Sequence, residues 1–186
     1  MTAIDRILQS YRDAAVTERE KGTYFERLAL VFFMNDPVQS EEYEEVWTWS
    51  DWAKTNGRDG KDVGIDLVAK LRNEAGFAAI QAKFYAADAR IQKIHIDSFI
   101  SASGKEPFRR RVVLDTTEKE WGTNAEEMIR DQVIPVVRIG LTDLRESRID
   151  WTIFEARGEI VLSAKKSLMD HQKDALADVS KGLAAA

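Results

Sequence analysis

Two short runs of sequence decide the fold of this 186-residue chain. They are Gly64-Ile65-Asp66-Leu67-Val68-Ala69-Lys70 and Ala79-Ile80-Gln81-Ala82-Lys83-Phe84-Tyr85. Each run is mainly apolar, and the segment between them, Arg72-Asn73-Glu74-Ala75-Gly76, has the polar, glycine-containing composition of a turn. The pattern predicts a β-hairpin with strands over 65–71 and 77–84.

Polar side chains interrupt both predicted strands, and the hairpin brings them together. With a turn centred near 73–74, Asp66 lies opposite Gln81 or Ala82, and directly opposed residues are about 5 Å apart at Cβ. Because side chains alternate between the two faces of a strand, Gln81 and Lys83 share a face. The hairpin therefore predicts that Asp66, Gln81 and Lys83 converge, although a register slip of one residue would separate them.

A site that combines an acid, an amide oxygen and a lysine has the groups needed to hydrolyse a phosphodiester bond with a metal ion. Mg²⁺ prefers oxygen ligands, which Asp66 and Gln81 supply, and a divalent ion makes the water that it binds a better nucleophile. Lys83 would position that water and offset charge on the phosphate. The neutral Gln81 weakens metal affinity relative to a Glu unless another acid approaches. The alternative interpretation is an ordinary amphipathic hairpin whose charged residues face water.

Glu26 is the candidate fourth member of this cluster. It lies in a predicted helix, Thr23 to Met34, that follows a helical segment over 3–19 and an interruption at Gly22. A helix packed on the sheet could direct Glu26 at the metal. Thr23-x-x-Glu26 also has the spacing of a capping box, in which Glu26 would instead bond to the Thr23 amide. Both roles stay open at this point.

The rest of the chain alternates between strand and helix patterns. Residues 41–53 hold three tryptophans that either pack in the core or stack on bases. After the hairpin the predicted elements are helix 94–103, strand 112–114, helix 123–132, strand 134–139, helix 141–148 and one more strand over 159–162. This order predicts an α/β fold, a mixed β-sheet flanked by helices on both faces.

Composition limits the functional classes. The chain has no cysteine, which excludes disulfides, thiolate zinc sites and a cysteine nucleophile. It has no run of about 18 apolar residues and no signal-peptide pattern, so we expect a cytoplasmic protein without membrane contact. The net charge of -5 argues against a uniformly basic coat but not against a local DNA-binding patch. Arg109-Arg110-Arg111 is either such a patch or solvated surface.

At these residues the chain resembles the PD-(D/E)xK nuclease superfamily, specifically its Mrr-like branch, in which Gln replaces the second acid. The likeness lies in Gly64-Ile65-Asp66 and Gln81-Ala82-Lys83, after the helix around Glu26. A restriction-endonuclease-like fold is what the resemblance implies. Over residues 22–155 the chain is also similar to the nuclease domain of single-polypeptide, Type I-like (Type ISP) restriction-modification enzymes. In those enzymes helicase-like ATPase, methyltransferase and target-recognition domains follow, and these are the domains that use ATP and S-adenosylmethionine.

The C-terminal segment supports the same resemblance. Leu168 to Leu176 is similar to the segment that precedes the first phosphate-binding loop of superfamily 2 helicases, where a glutamine at the position of Gln172 pairs with adenine. A plain amphipathic helix is the alternative. We therefore predict a nuclease domain over 1–163 and a helical linker over 164–186 that leads towards a helicase-like ATPase.

These observations predict a Mg²⁺-dependent endonuclease domain that hydrolyses double-stranded DNA, with Asp66 and Gln81 at the metal, Lys83 at the water and Glu26 in support. A transient dimer of nuclease domains would provide cuts in both strands. Two alternatives remain at this stage: a catalytically inert DNA-binding or coupling module of a helicase, and a stand-alone structure-specific nuclease.

Overall fold

The computed structural model describes residues 1–163 of the chain. Its centre is a five-stranded sheet in the order β1-β2-β3-β4-β5. The first three strands pair antiparallel, and β4 and β5 add to β3 in parallel. The sheet is therefore mixed, as predicted. The strands are β1 (Tyr43–Thr48), β2 (Leu67–Leu71), β3 (Phe77–Lys83), β4 (Phe108–Asp115) and β5 (Val136–Ile139).

Helices cover both faces of the sheet. On one face, α1, α2, α7 and α8 bury their apolar residues against β2, β3 and β4. On the other face, α4, α5 and α6 do so. The helices are α1 (Ala3–Ala14), α2 (Glu18–Asn35), α3 (Pro37–Glu42), α4 (Trp49–Thr55), α5 (Lys93–Ala102), α6 (Thr123–Ile129), α7 (Leu141–Glu146) and α8 (Trp151–Arg157).

The predicted hairpin is present in the predicted register. Leu67 pairs with Ile80 and Lys70 with Phe77, so the pairing extends to place Asp66 opposite Gln81. The polar turn at 72–76 ends β2 where its composition predicts, and the apolar residues of each strand reach into both cores. Local turn chemistry and strand alternation were sufficient to define this hairpin.

The first helices differ from the prediction. The helix predicted over 3–19 ends at Ala14, and α2 begins at Glu18 and continues through Gly22 without a break. A glycine inside a helix costs about 1 kcal/mol. The buried phenylalanines of α2 outweigh that cost, since each contributes about 1.5–3 kcal/mol. They are Phe25, Phe32 and Phe33.

Two further predictions changed or became more definite. The aromatic segment over 41–53 divides into β1 and α4, and Trp49 and Trp52 are buried in the core instead of being free to stack on bases. The strand predicted over 159–162 is reduced to an isolated bridge between Ile149 and Leu162. The helix α8 was not predicted. Within residues 1–163, no helix is long and apolar enough to cross a bilayer.

The triple arginine is neither a free basic patch nor simple solvated surface. Arg111 is buried and donates hydrogen bonds to Ser103 Oγ and to the carbonyls of Ile100 and Ile134. Its neighbours form ion pairs: Arg109 with Glu106, and Arg110 with Glu42 and Glu74. The predicted linker over 164–186, including Gln172, lies outside the described residues, so the division into two segments stays a prediction.

Candidate active site

Asp66 lies immediately before β2, and hydrogen bonds hold it on both sides. Its backbone N–H donates to the Ile80 carbonyl at 3.0 Å, and its own carbonyl accepts from the Trp49 N–H at 2.8 Å. Its Oδ2 accepts the backbone N–H of Ala82 at 2.7 Å. The carboxyl group is thus fixed against β3 between Gln81 and Lys83, which is the convergence that the hairpin predicted.

Gln81 occupies the matching position on β3 and is 4% exposed. Its Nε2 donates to the Gly64 carbonyl at 3.0 Å. Its Oε1 is buried and has no hydrogen-bond partner among the described residues. An unsatisfied buried acceptor costs about 1–3 kcal/mol, and such groups in folded proteins call for an explanation, an ion being one.

Gly64 makes the close approach between this loop and α5. Its φ is +85°, and a Cβ there would lie 2.9 Å from both the Phe99 nitrogen and the Ser98 Cβ. Only glycine combines that backbone conformation with so little space. The Gly64 N–H donates to Asp62 Oδ1 at 2.8 Å, which closes a small turn before the site.

Glu26 reaches the site from α2. Arg19, Gly22, Thr23 and Glu26 form one stripe of that helix, and with Asp62 and Asp66 they line a cleft of about 430 Å³. The capping-box role of Glu26 is wrong. Helix α2 begins earlier, its box is formed by Thr17 and Glu20, and the Thr23 hydroxyl donates to the Arg19 carbonyl inside the helix. Glu26 is therefore free to face the cleft.

The ionisable groups of the site influence one another's pKa values. Burial raises the pKa of Asp66 to about 7; the Ala82 hydrogen bond and Lys83 oppose this rise, whereas Glu26 and Asp62 add to it. Burial, with Asp62 beside it, also raises the pKa of Glu26. Burial lowers the pKa of Lys83 despite the three surrounding carboxyl groups. Asp66 and Lys83 are both only partly exposed. Asp66 lines the cleft, and groups with perturbed pKa values at a cleft are typical of functional sites.

The donor set fits a hard divalent cation. Within residues 1–163 no three acidic, histidine or cysteine side chains are close enough to hold an ion by themselves. Mg²⁺ commonly uses only one or two carboxylates and completes its octahedron with water and substrate phosphate. That requirement is matched by Asp66, the unsatisfied oxygen of Gln81 and the nearby Glu26. Because so few acids are close together, the oxygen of the neutral Gln81 is an important part of this donor set.

Asp62 is the residue that the sequence analysis missed. It is not among the predicted site residues, yet it lies in the cleft and acts electrostatically on Asp66, Glu26 and Lys83. Its sequence signal is the Asp-x-Gly spacing of 62–64, which is typical of a side chain bonded to the backbone two residues on. Asp62 is therefore an acid of the cleft, beside Glu26 and Asp66.

Residues 34–161 match the family model described as restriction endonuclease (Mrr_cat_2). The chain belongs to this family of restriction endonucleases, and its mixed sheet with flanking helices is the restriction-endonuclease-like α/β fold. It is a DNA endonuclease domain. The matched residues include Asp66, Gln81 and Lys83, whereas Glu26 precedes them.

Among solved structures, the chain is similar to the ATP-dependent Type ISP restriction-modification enzyme LlaBIII bound to DNA, with 31% identity and a TM-score of 0.67. That match covers 94% of this chain and 11% of the other, so this chain spans about a tenth of that enzyme's length. None of the curated proteins that were compared matches the chain.

Two modification-related or DNA-bound restriction enzymes match more distantly. The DNA modification-dependent restriction endonuclease AspBHI has 17% identity and a TM-score of 0.48, with coverage of 84% of this chain and 35% of the other. The MspJI restriction endonuclease in complex with a 27-mer oligonucleotide has 16% identity and a TM-score of 0.47, with coverage of 76% and 30%.

Proposed function

We propose that this domain is a Mg²⁺-dependent endonuclease that hydrolyses phosphodiester bonds of double-stranded DNA at the cluster of Asp66, Gln81, Lys83 and Glu26. One observation carries the proposal: within residues 1–163, a half-buried carboxyl group, a buried amide oxygen without a hydrogen-bond partner and a half-buried lysine meet at the end of the hairpin. Within residues 1–163 neither Asp66 nor Lys83 forms an ion pair. They are available to a cation and a phosphate.

Asp66 and Gln81 Oε1 would hold the cation, with Glu26 directly or through water. When bound, Mg²⁺ supplies Lewis-acid polarisation of the phosphate and activation of water. The Ala82 N–H keeps one carboxylate oxygen of Asp66 in place, and the Gly64 carbonyl holds the nitrogen end of the Gln81 amide. The two side chains therefore need little rearrangement before the ion binds.

Lys83 is the group that faces the reacting phosphate. Its ammonium has three donors, and no acceptor within residues 1–163 occupies them. It can orient the attacking water and stabilise the negative charge that develops on the phosphate oxygens. Because burial lowers its pKa, Lys83 releases a proton more readily than an exposed lysine.

We further propose that the domain works within a larger ATP-dependent restriction-modification enzyme. The 31% identity to the Type ISP enzyme supports this context. The partners would be double-stranded DNA, a helicase-like ATPase, a methyltransferase and a target-recognition domain, with a transient dimer of nuclease domains for double-strand breaks. ATP and S-adenosylmethionine would bind those other domains, Gln172 would pair with adenine, and the enzyme would act in the cytoplasm.

Substitution of the cluster tests the proposal. Nicking of supercoiled plasmid in Mg²⁺ is compared for the wild type, Asp66→Ala and Lys83→Ala, in the encoded polypeptide that carries this chain, with ATP supplied. Lys70→Ala on the same hairpin is the matched control, since Lys70 is exposed and paired with Glu44. We expect both site variants to lose cleavage and the control to retain it. Unchanged cleavage by both site variants would refute the assignment.

Direct measurement of metal binding separates an active site from an inert DNA-binding module. Calorimetric titration of the wild type with Mn²⁺ should give one saturable site that Asp66→Ala removes. A wild type that binds DNA but neither binds Mn²⁺ nor cleaves would favour the inert module, to which the neutral Gln81 lends some weight.

A further inference from the structure

The glutamine at the metal site raises a problem of orientation. A carboxylate presents two equivalent oxygens to a cation, but an amide presents an oxygen at one end and two N–H donors at the other. A Gln81 side chain turned by half a rotation would direct N–H groups at the ion and repel it. A site built on Gln81 therefore needs a device that fixes the amide in one of its two orientations.

The Gly64 carbonyl is that device. It accepts Gln81 Nε2 at 3.0 Å, so the nitrogen end of the amide faces the carbonyl and Oε1 is left without a partner. The reverse orientation would place two oxygens against each other. The amide is thus directed by the position of a single peptide group.

Two contacts in turn fix Gly64, the residue that carries this carbonyl. On one side Gly64 is packed against the backbone of α5, where a Cβ would approach Phe99 and Ser98 to 2.9 Å. On the other side its N–H donates to Asp62 Oδ1 at 2.8 Å. Asp62 is exposed, so it adds little to the core, and its hydrogen bond is its described contact with the loop.

We propose that Asp62 is a positioning residue: it holds Gly64 through the Gly64 N–H and so fixes the Gly64 carbonyl, which orients the Gln81 amide with Oε1 towards the bound cation. The inference rests on the proposed function, because it assumes that Gln81 Oε1 is a ligand. It explains how a site with glutamine in place of an acid keeps a usable oxygen. Residues that orient a metal ligand typically change metal affinity about 10–100-fold when they are replaced.

Two substitutions of Asp62 separate its hydrogen bond from its charge. Asn keeps an oxygen that can accept the Gly64 N–H but removes the charge, whereas Ala removes both. Asp62→Ala should weaken Mn²⁺ binding about tenfold in calorimetric titration, and Asp62→Asn should keep most of the affinity. Equal losses in the two variants would assign the effect to charge and overturn the positioning role.

Asp59 provides a matched control in the same loop. Its Oδ1 accepts the Lys61 N–H at 3.1 Å, which is the same kind of bond two residues along the chain, but it does not reach Gly64. Asp59→Ala should bind Mn²⁺ like the wild type. A loss equal to that of Asp62→Ala would mean that any loosening of the loop is sufficient, and would contradict a specific role for Asp62.

A double-mutant cycle tests whether Asp62 acts through Gln81. In a Gln81→Ala background there is no amide to orient, so Asp62→Ala should cause no further loss of Mn²⁺ affinity. Additive losses would show that Asp62 acts independently of Gln81 and would refute the proposal.

The amide itself can be observed without metal. In nitrogen-15 spectra the two Nε2 protons of Gln81 should be widely separated in the wild type and Asp62→Asn, since one is hydrogen-bonded, and should approach free-amide values in Asp62→Ala. Unchanged signals in Asp62→Ala would overturn the inference. If the wild type fails to bind Mn²⁺, the proposed function fails, while this measurement still decides the orientation of the amide.

Discussion

At the turn end of the β2–β3 hairpin, Lys70 is paired with Glu44 at 2.8 Å, and Arg110 on the neighbouring β4 is paired with Glu42 and Glu74 at 2.6 and 2.7 Å. These side chains are exposed. At the open end of the same hairpin, Asp66 and Lys83 are half-buried, and within residues 1–163 neither forms an ion pair.

The two ends differ in the pairing and the solvent exposure of their charged side chains. An exposed ion pair contributes about 0–1 kcal/mol and can be lost without consequence. A desolvated carboxyl beside other carboxyls destabilises the folded state, and the rise in the pKa of Asp66 records that cost. Under the proposed function, the open end would accept a cation and a phosphate at the expense of stability, which is how active sites commonly differ from the rest of a protein.

The largest expected effect is a gain in stability at the open end. The pKa of Asp66 rises from an ordinary value of 3.8 to about 7 on folding. Below 3.8 both states are protonated and there is no penalty. The penalty grows from there to about pH 7 and is constant above it. Asp66→Asn should therefore stabilise the metal-free protein by about 2–4 kcal/mol at pH 8.

Urea unfolding at pH 5 and pH 8 measures this gain, which should be clearly smaller at pH 5. Asp59→Asn is the control, since Asp59 is an exposed acid on the neighbouring loop and its replacement removes a charge outside the site. A destabilised Asp66→Asn at pH 8 would mean that the open end is not strained by its charge, and the contrast between the two ends would fail.

Bound Mg²⁺ should offset the free-energy cost of the desolvated Asp66 carboxylate. At a free Mg²⁺ concentration a hundred times its dissociation constant, we expect the wild type to gain about 2.7 kcal/mol. The gain should decline below pH 7, where Asp66 takes up a proton in competition with the ion. Thermal unfolding with Mg²⁺ or with a chelator measures it. A similar gain in Asp66→Asn would place the ion elsewhere.

Glu26 should give a smaller but distinct effect. Glu26→Gln keeps the size of the side chain and removes its charge, and we expect Mn²⁺ affinity and cleavage to fall about 10–100-fold. Glu42→Gln at the turn end is the matched control and should change neither. Equal behaviour of the two variants in calorimetry and plasmid nicking would remove Glu26 from the site.

The smallest effects belong to the turn end. Lys70→Ala and Glu44→Ala should each change the free energy of unfolding by less than about 1 kcal/mol, because their pair is exposed and screened by salt. Urea unfolding in low and high salt measures the change. A loss of several kcal/mol would show that the turn end is also strained and would weaken the distinction.

The sequence predicted the hairpin well because its determinants are local. Turn residues at 72–76 and the alternation of the flanking strands define the register, and the register places Asp66 opposite Gln81. The same locality made Glu26 ambiguous. Thr17-x-x-Glu20 and Thr23-x-x-Glu26 both match a capping box, and the choice depends on how α2 packs against the sheet.

The Asp-x-Gly turn of 62–64 is visible in the sequence, but the proximity of Asp62 to Glu26 and Lys83 is not, because it arises from tertiary packing. The orientation of the Gln81 amide depends likewise on Gly64, whose close approach to α5 leaves no trace in hydrophobic periodicity. Tertiary contacts of this kind combine segments far apart in the chain, which single-sequence patterns do not encode.

For anyone who wishes to redesign this endonuclease, Gly64 is the position that cannot be altered. A Cβ at this position would overlap the backbone of α5, so none of the other side chains fits there without moving the helix. Libraries aimed at a new metal preference are best confined to positions 26 and 62, whose side chains line the cleft. Position 64 should emerge from any such selection as glycine.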